Sequence, residues 1–137
     1  MEASAIGCSI SADLPEFVEI RGDEELLRRA FENVIRNAIR YSPNGTQVEV
    51  SLNNNGDEAT ISVRDRGPGI PKDLMERVFD PFFRVDPSRE EKTGGLGLGL
   101  AIARRAIRVH HGDIVAVPVS TGALFEITLP MNPKTAD

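Results

Sequence analysis

One stretch constrains this chain more than any other: "DEELLRRAFENVIRNAIRYSPNG", residues 23–45. Leu26, Leu27, Ala30, Phe31, Val34, Ile35, Ala38 and Ile39 recur at helical spacing and form one broad apolar face. Asp23 is a natural N-cap, acidic residues fill the first turn, and Pro43–Asn44–Gly45 is a stop. A helix that is apolar on one side must bury that side against a second layer. The sequence that follows supplies one. Gln47–Asn53 and Glu58–Arg64 alternate apolar and polar residues around Asn55–Gly56, which predicts a hairpin.

The other elements extend the same plan. "GCSI" and "FVEIRGD" read as early strands separated by a "DLPE" turn, and "PKDLMERVF" as a short helix opening on Pro71. Asp80 to Gly95 has no period and reads as a long, mobile loop, a length that usually carries function. A second helix is expected from Gly97–Gly99 to about His111, with Gly112 as its stop. "DIVAVPV" and "ALFEITLP" make a last hairpin about Ser120–Thr121–Gly122, and "MNPKTAD" is a tail. The sum is an α+β, two-layer α/β sandwich: a mixed, mostly antiparallel sheet covered on one face by helices. At 137 residues the expectation is a single domain, 1–137, with its core at about 6–130.

Composition narrows the function. A net charge of −5 argues against a general nucleic-acid binder. The single cysteine, Cys8, excludes an internal disulfide and suits a reducing compartment. No apolar run approaches the ~20 residues that span a bilayer, and "MEASAIGCSI" lacks the basic start of a signal peptide. Any membrane anchor of a parent protein is expected outside this chain.

Four patches carry chemistry. Asn33, Asn37, Arg40 and Tyr41 fall within one arc of the first helix, at the rim of its apolar face. Asparagine is a poor interior helix residue, whereas its amide oxygen is a hard ligand suited to Mg²⁺. Arg40 suits a phosphate and Tyr41 a base; the plain alternative is a solvated helix edge. "DRGPGI" puts Asp65 at a strand end and follows it with Gly67, Gly69 and Ile70. A carboxylate there can accept from the exocyclic amine of a purine, although Asp and Gly also fill ordinary turns. "VFDPFFR" concentrates Phe79, Phe82 and Phe83 as a plug beside the loop, with Arg84 a candidate phosphate or partner contact. Finally, Gly94, Gly95, Gly97 and Gly99 lead into an amphipathic helix, whose free N–H groups favour phosphate. The spacing matches neither of the two familiar phosphate loops.

Taken in order, these patches resemble the sensor histidine kinases. "FENVIRNAIRYSPNG" is similar to their N box, "DRGPGI" to the G1 box, "FDPFFR" to the F box and "GGLGLGLAIAR" to the G2 box. "TGALFEITLP" resembles the closing G3-like strand, so the likeness runs from about Arg21 to Pro130. It implies the Bergerat ATP-binding fold shared with gyrase-type topoisomerases, heat-shock chaperones and mismatch-repair ATPases, with a flexible ATP lid at about 80–96. It further implies that Asn37 binds Mg²⁺ with Asn33 beside it, and that Arg40 takes the place of a phosphate-contacting lysine. Tyr41, Ile70 and Phe79 would line the nucleotide pocket, and Asp65 would receive the adenine amine. Gly67 and Gly69 would shape that pocket. Gly95, Leu96, Gly97, Leu98, Gly99 and Leu100 would face the phosphates, with Arg84 and Lys92 as further cations. Leu96 replaces the usual Ser or Thr.

The resemblance also implies a role. Asn33 stands where the ATPase branches carry a glutamate that activates water, and an amide cannot act as that base. The site is therefore expected to hold ATP and transfer its γ-phosphoryl group to a histidine on a separate dimerisation domain, for relay to a response regulator. His110 and His111 read as helix C-terminal residues rather than as phosphoacceptors. The parent is expected to be a homodimer anchored in the bacterial inner membrane, with this domain cytoplasmic. The alternative is a stand-alone serine kinase of the same fold, of the anti-sigma-factor type. A non-catalytic nucleotide sensor would need a damaged site.

Overall fold

A computed structural model describes residues 9–13, 19–83 and 98–131. Five strands and two α-helices follow in the order β1 (Ser9–Asp13), α1 (Glu24–Tyr41), β2 (Gln47–Asn54), β3 (Glu58–Asp65), α2 (Gly99–Val109), β4 (Asp113–Val117) and β5 (Ala123–Pro130). The sheet order is β1-β2-β3-β5-β4. β1 runs parallel to β2, and every other pairing is antiparallel. That is the mixed, mostly antiparallel sheet expected from the sequence. Most of the expected lid (80–96), Cys8 and the tail lie outside the described residues.

Local chemistry explains the ends of α1. Asp23 is extended and its Oδ1 accepts from the Leu26 N–H at 3.0 Å. At the other end Ser42 leaves helical geometry, its N–H on the Ile39 carbonyl and its hydroxyl on that of Ala38. The β2–β3 hairpin closes on Asn55, whose Oδ1 accepts from the N–H groups of Asp57 and Glu58.

Alternation places one face of the sheet under the helices. Val48, Val63, Ile114, Phe125, Ile127 and Leu129 are fully buried with Val34, Ala38 and Ile107 of the helices. Each such Val, Ile or Phe contributes roughly 1.5–3 kcal/mol by leaving water. Ala30, Ala38, Ala103 and Ala106 are the buried alanines of the two helices and let the helix layer pack closely. Leu26, read above as part of the apolar face, stays 41% exposed at its edge.

Three local expectations are corrected. Residues 19–23 of "FVEIRGD" form no strand; Ile20 packs on the core from irregular chain. The segment after Pro71 is two short 3₁₀ turns, Lys72–Leu74 and Arg77–Phe79, not an α-helix. The end of α2 is set by His111, not by Gly112. His111 is the residue at positive φ (67°), the His111 N–H donates to the Arg108 carbonyl, and the Gly112 N–H reaches back to that of Ile107. This is a complete Schellman closure with histidine where glycine is usual. Gly112 is required for a different reason, because a Cβ there would run into the Thr128 carbonyl.

Candidate functional site

The site is built around the end of β3. Asp65 is 2% exposed, and its Oδ1 accepts from the Gly67 N–H at 2.8 Å and the Ala123 N–H at 3.2 Å. Neither bond uses Oδ2. Burial pushes the carboxyl pKa up, and it outweighs the two backbone donors and the Arg64 charge that pull it down. Water alone would not favour such a carboxylate. A hydrogen-bond donor brought to Oδ2 would.

Three glycines, two in the turn after Asp65 and one in the β4–β5 turn, let the backbone close around it. Gly69 is at φ 84°, and a Cβ there would lie 2.9 Å from the Gly122 carbonyl. Gly122 is itself at φ 71°, and its missing Cβ would collide with the Asp65 carbonyl. Gly67 sits against the Tyr41 carbonyl with no room for a side chain. The end of α1, the Asp65 turn and the β4–β5 turn are thus held in mutual contact. Thr121 adds to the joint, accepting from Arg64 at 3.1 Å through its carbonyl. Gly122 and Thr121 were legible only as turn residues; the one available signal was a glycine between two strands.

On α1, Asn33, Asn37, Arg40 and Tyr41 are all half-buried, as a rim position demands. The structure brings the first of them to the start of α2: a Cβ on Gly99 would lie 3.8 Å from that of Asn33. That is ordinary contact, so packing does not require glycine at 99. Leu98 caps α2 without a side-chain hydrogen bond, and no acidic residue occupies the first turn. Leu100 is buried in the core and Ile70 packs against it. Arg84, Lys92, Gly95, Leu96 and Gly97 lie outside the described residues.

The phenylalanine cluster divides. Phe79 is buried, edge-on to Phe125 with centroids 6.0 Å apart, and Arg77 lies 4.7 Å over the half-buried Phe83 ring. Phe82 instead stands 70% exposed at φ 66°. Glu32, the carboxylate nearest Asn33 in sequence, points away and pairs with Arg28 at 3.4 Å.

His110 is not a simple C-terminal charge. The Asp23 N–H donates to its Nε2 at 2.9 Å, so Nδ1 carries the proton and donates to the Ala106 carbonyl at 2.7 Å. A neutral ring with both nitrogens engaged ties the end of α2 to the cap of α1.

The comparisons with known proteins identify the family to which this fold belongs. Residues 22–133 match the family described as histidine kinase-, DNA gyrase B- and HSP90-like ATPase, and the chain belongs to that family. ATP is the nucleotide of this family. The chain is 47% identical over 126 residues to the sensor-like histidine kinase SenX3 of Mycolicibacterium smegmatis, covering 91% of this chain and 33% of that protein. It is 44% identical over 124 residues to the sensor histidine kinase WalK of Bacillus subtilis, covering 88% of this chain and 20% of the relative. Among solved structures the mycobacterial sensor histidine kinase MprB superposes with a TM-score of 0.79 at 32% identity, over 90% of this chain and 82% of that one. The domain is thus of the sensor histidine kinase type, and it spans a third or less of these two curated relatives. The serine-kinase alternative finds no support in these relatives.

Proposed function

We propose that this domain binds Mg²⁺–ATP and donates the γ-phosphoryl group to a histidine on a separate dimerisation domain of its parent protein, for relay to a response regulator. The observation that carries the reading is Asp65: a buried carboxylate whose Oδ1 is held by two backbone donors, beside a joint of three glycines. Its Oδ2 would accept from the adenine 6-amino group. Guanine presents a carbonyl there and would meet like with like.

The phosphates would extend toward Asn33, Asn37, Arg40 and the first turn of α2. That Gly99 is glycine without a packing reason supports close approach of an anion to the backbone. Mg²⁺ fits this donor set on chemical grounds. Amide oxygens are hard ligands, and among the described residues no cluster of three or more His, Cys, Asp or Glu could hold a metal alone. The ion would arrive with the phosphates, held by Asn37 with Asn33 beside it, and would neutralise charge on the transferring group.

In the transfer, an imidazole nitrogen forms a bond to Pγ as the bridging β–γ oxygen bond breaks, and ADP leaves. The domain contributes positioning and electrostatic stabilisation, the main requirements of phosphoryl transfer. At the position where the ATPase branches carry a water-activating glutamate it has an amide, Asn33, and the neighbouring Glu32 is half-exposed and pairs with Arg28. The structural neighbour ShkA has been solved full-length in complex with AMPPNP, which supports a nucleotide site in this fold. The relatives' names and lengths support a parent that is a sensor kinase longer than this chain. A homodimer anchored in the bacterial inner membrane, with this domain cytoplasmic, is part of the same proposal. Among the described residues no helix is long and apolar enough to cross a membrane.

The test is transfer in trans. With γ-labelled ATP the chain alone should acquire no stoichiometric phosphate, and adding the parent's histidine-bearing dimerisation domain should produce acid-labile phosphohistidine on that domain. Stoichiometric label on His110 or His111, or ATP turnover without the acceptor, would contradict it.

A further inference from the structure

Outside the pocket, one buried cation joins three segments. The Arg104 side chain is 10% exposed. Its Nη1 and Nη2 donate to the two Glu76 oxygens at 2.5 and 3.4 Å, and its Nε donates to Asp113 Oδ1 at 3.1 Å. The guanidinium also lies 4.4 Å over the Phe79 ring. Glu76 and Phe79 belong to the 3₁₀ segment that follows the Asp65 turn. Asp113 opens β4, and Arg104 is on α2, five residues after Gly99.

Stability alone does not account for such a group. Desolvating a guanidinium is costly, and a hydrophobic residue of similar volume often serves the fold as well or better. What a methionine could not supply is direction. A planar fork bonded at both ends and stacked on a ring permits one arrangement of its partners. Phe79 passes that arrangement on, since it packs on Phe125, which pairs with Val63 two residues before Asp65.

We propose that Arg104 is a positioning residue for the nucleotide site: it fixes the 3₁₀ segment beyond the Asp65 turn against α2, and so sets the span between the adenine-recognising carboxylate and the phosphate-facing helix start. This rests on the reading of the site given above. A ligand that touches both ends of the site depends on that span, whereas one that touches only the Asp65 end does not.

That difference is the experiment. Affinities for Mg²⁺–ATP and for adenosine are measured by NMR titration on the intact chain and on Arg104→Met, Arg104→Lys, Glu76→Ala and Glu76→Gln, with Tm recorded for each. The expected result is that Arg104→Met stays folded, binds ATP about tenfold more weakly and binds adenosine as before. Arg104→Lys, which keeps the charge but not the fork, should fall between. Glu76→Gln, which keeps a hydrogen-bond acceptor, should restore most of the ATP affinity lost in Glu76→Ala. Unchanged ATP affinity in folded Arg104→Met would overturn the proposal, as would equal losses for ATP and adenosine, the mark of a merely structural role. If the unaltered chain bound neither ligand, the nucleotide reading itself would fall.

Discussion

Asp65 shows how a candidate binding residue can work against its own fold. Its folded pKa is raised, so its contribution to stability is present below the ordinary carboxylate value of 3.8 and is lost as pH rises through the raised value. When ionised, Asp65 is a buried charge that desolvation disfavours, and a hydrogen-bond donor brought to Oδ2 would relieve it further. Gly122 serves the same centre from another element, through a backbone conformation that a side chain would forbid. His111 is the contrary case, a bulky residue left in a glycine conformation at φ 67°. Because it is exposed and its carbonyl-to-amide closure is made by backbone alone, the side chain is dispensable. His111→Gly should raise stability by about 1 kcal/mol without altering nucleotide affinity, measured by urea unfolding and calorimetric titration. A loss of stability would mean that the imidazole makes a contact the backbone account misses.

At the level of elements, the α2–β4 connection is fastened by Asp113. Burial alone would raise its pKa, but Arg108, Arg104 and the Ile114 N–H together hold it at about 2. The sign follows from the lowered value: the stabilisation is present above about pH 4 and disappears as pH falls through about 2. Asp113→Asn should cost about 1 kcal/mol at pH 7, after discounting for solvent screening of a half-exposed pair. The gap from the parent chain should close between about pH 4 and pH 2 in thermal melts. A constant gap would assign the cost to packing.

Elements written in local chemistry were legible: the Asp23 cap, the Asn55 turn and the alternation of β2, β3 and β5 needed no tertiary information. Those decided by long-range contact were not. Nothing local says that Gly112 faces the Thr128 carbonyl, or that His110 belongs to Asp23, 87 residues away. The segment after Pro71 reads as a helix in sequence but forms 3₁₀ turns, with Phe79 held by Arg104 and Phe125 rather than by a helical face. Asp65 was legible as a candidate because a carboxylate at a strand end before two glycines is chemically pointed. Only one of its two backbone donors, the Gly67 N–H, is local; the other, the Ala123 N–H, comes from 58 residues away at the start of β5.

At the scale of the molecule, α1 links the two parts of the candidate site, with the Asp65 turn against its end at Tyr41 and the start of α2 against Asn33. β3 delivers Asp65, α1 delivers the asparagines, and α2 returns antiparallel so that its start meets Asn33 while its end meets Asp23 through His110. In the proposed function this arrangement would hold a nucleotide and offer its terminal phosphate outward, to a histidine on a separate domain. That account depends on adenine being recognised at Asp65. The most direct measurement is calorimetric titration with ATP and with GTP in Mg²⁺, on the chain and on Asp65→Asn. The account predicts that ATP binds and GTP does not. Asp65→Asn keeps an acceptor for Gly67 and Ala123, so it should melt at a higher temperature than the unaltered chain. Its amide nitrogen would face the adenine amine, so it should bind ATP about a hundredfold more weakly. Equal affinity for ATP and GTP, or unimpaired ATP binding by a folded Asp65→Asn, would contradict it.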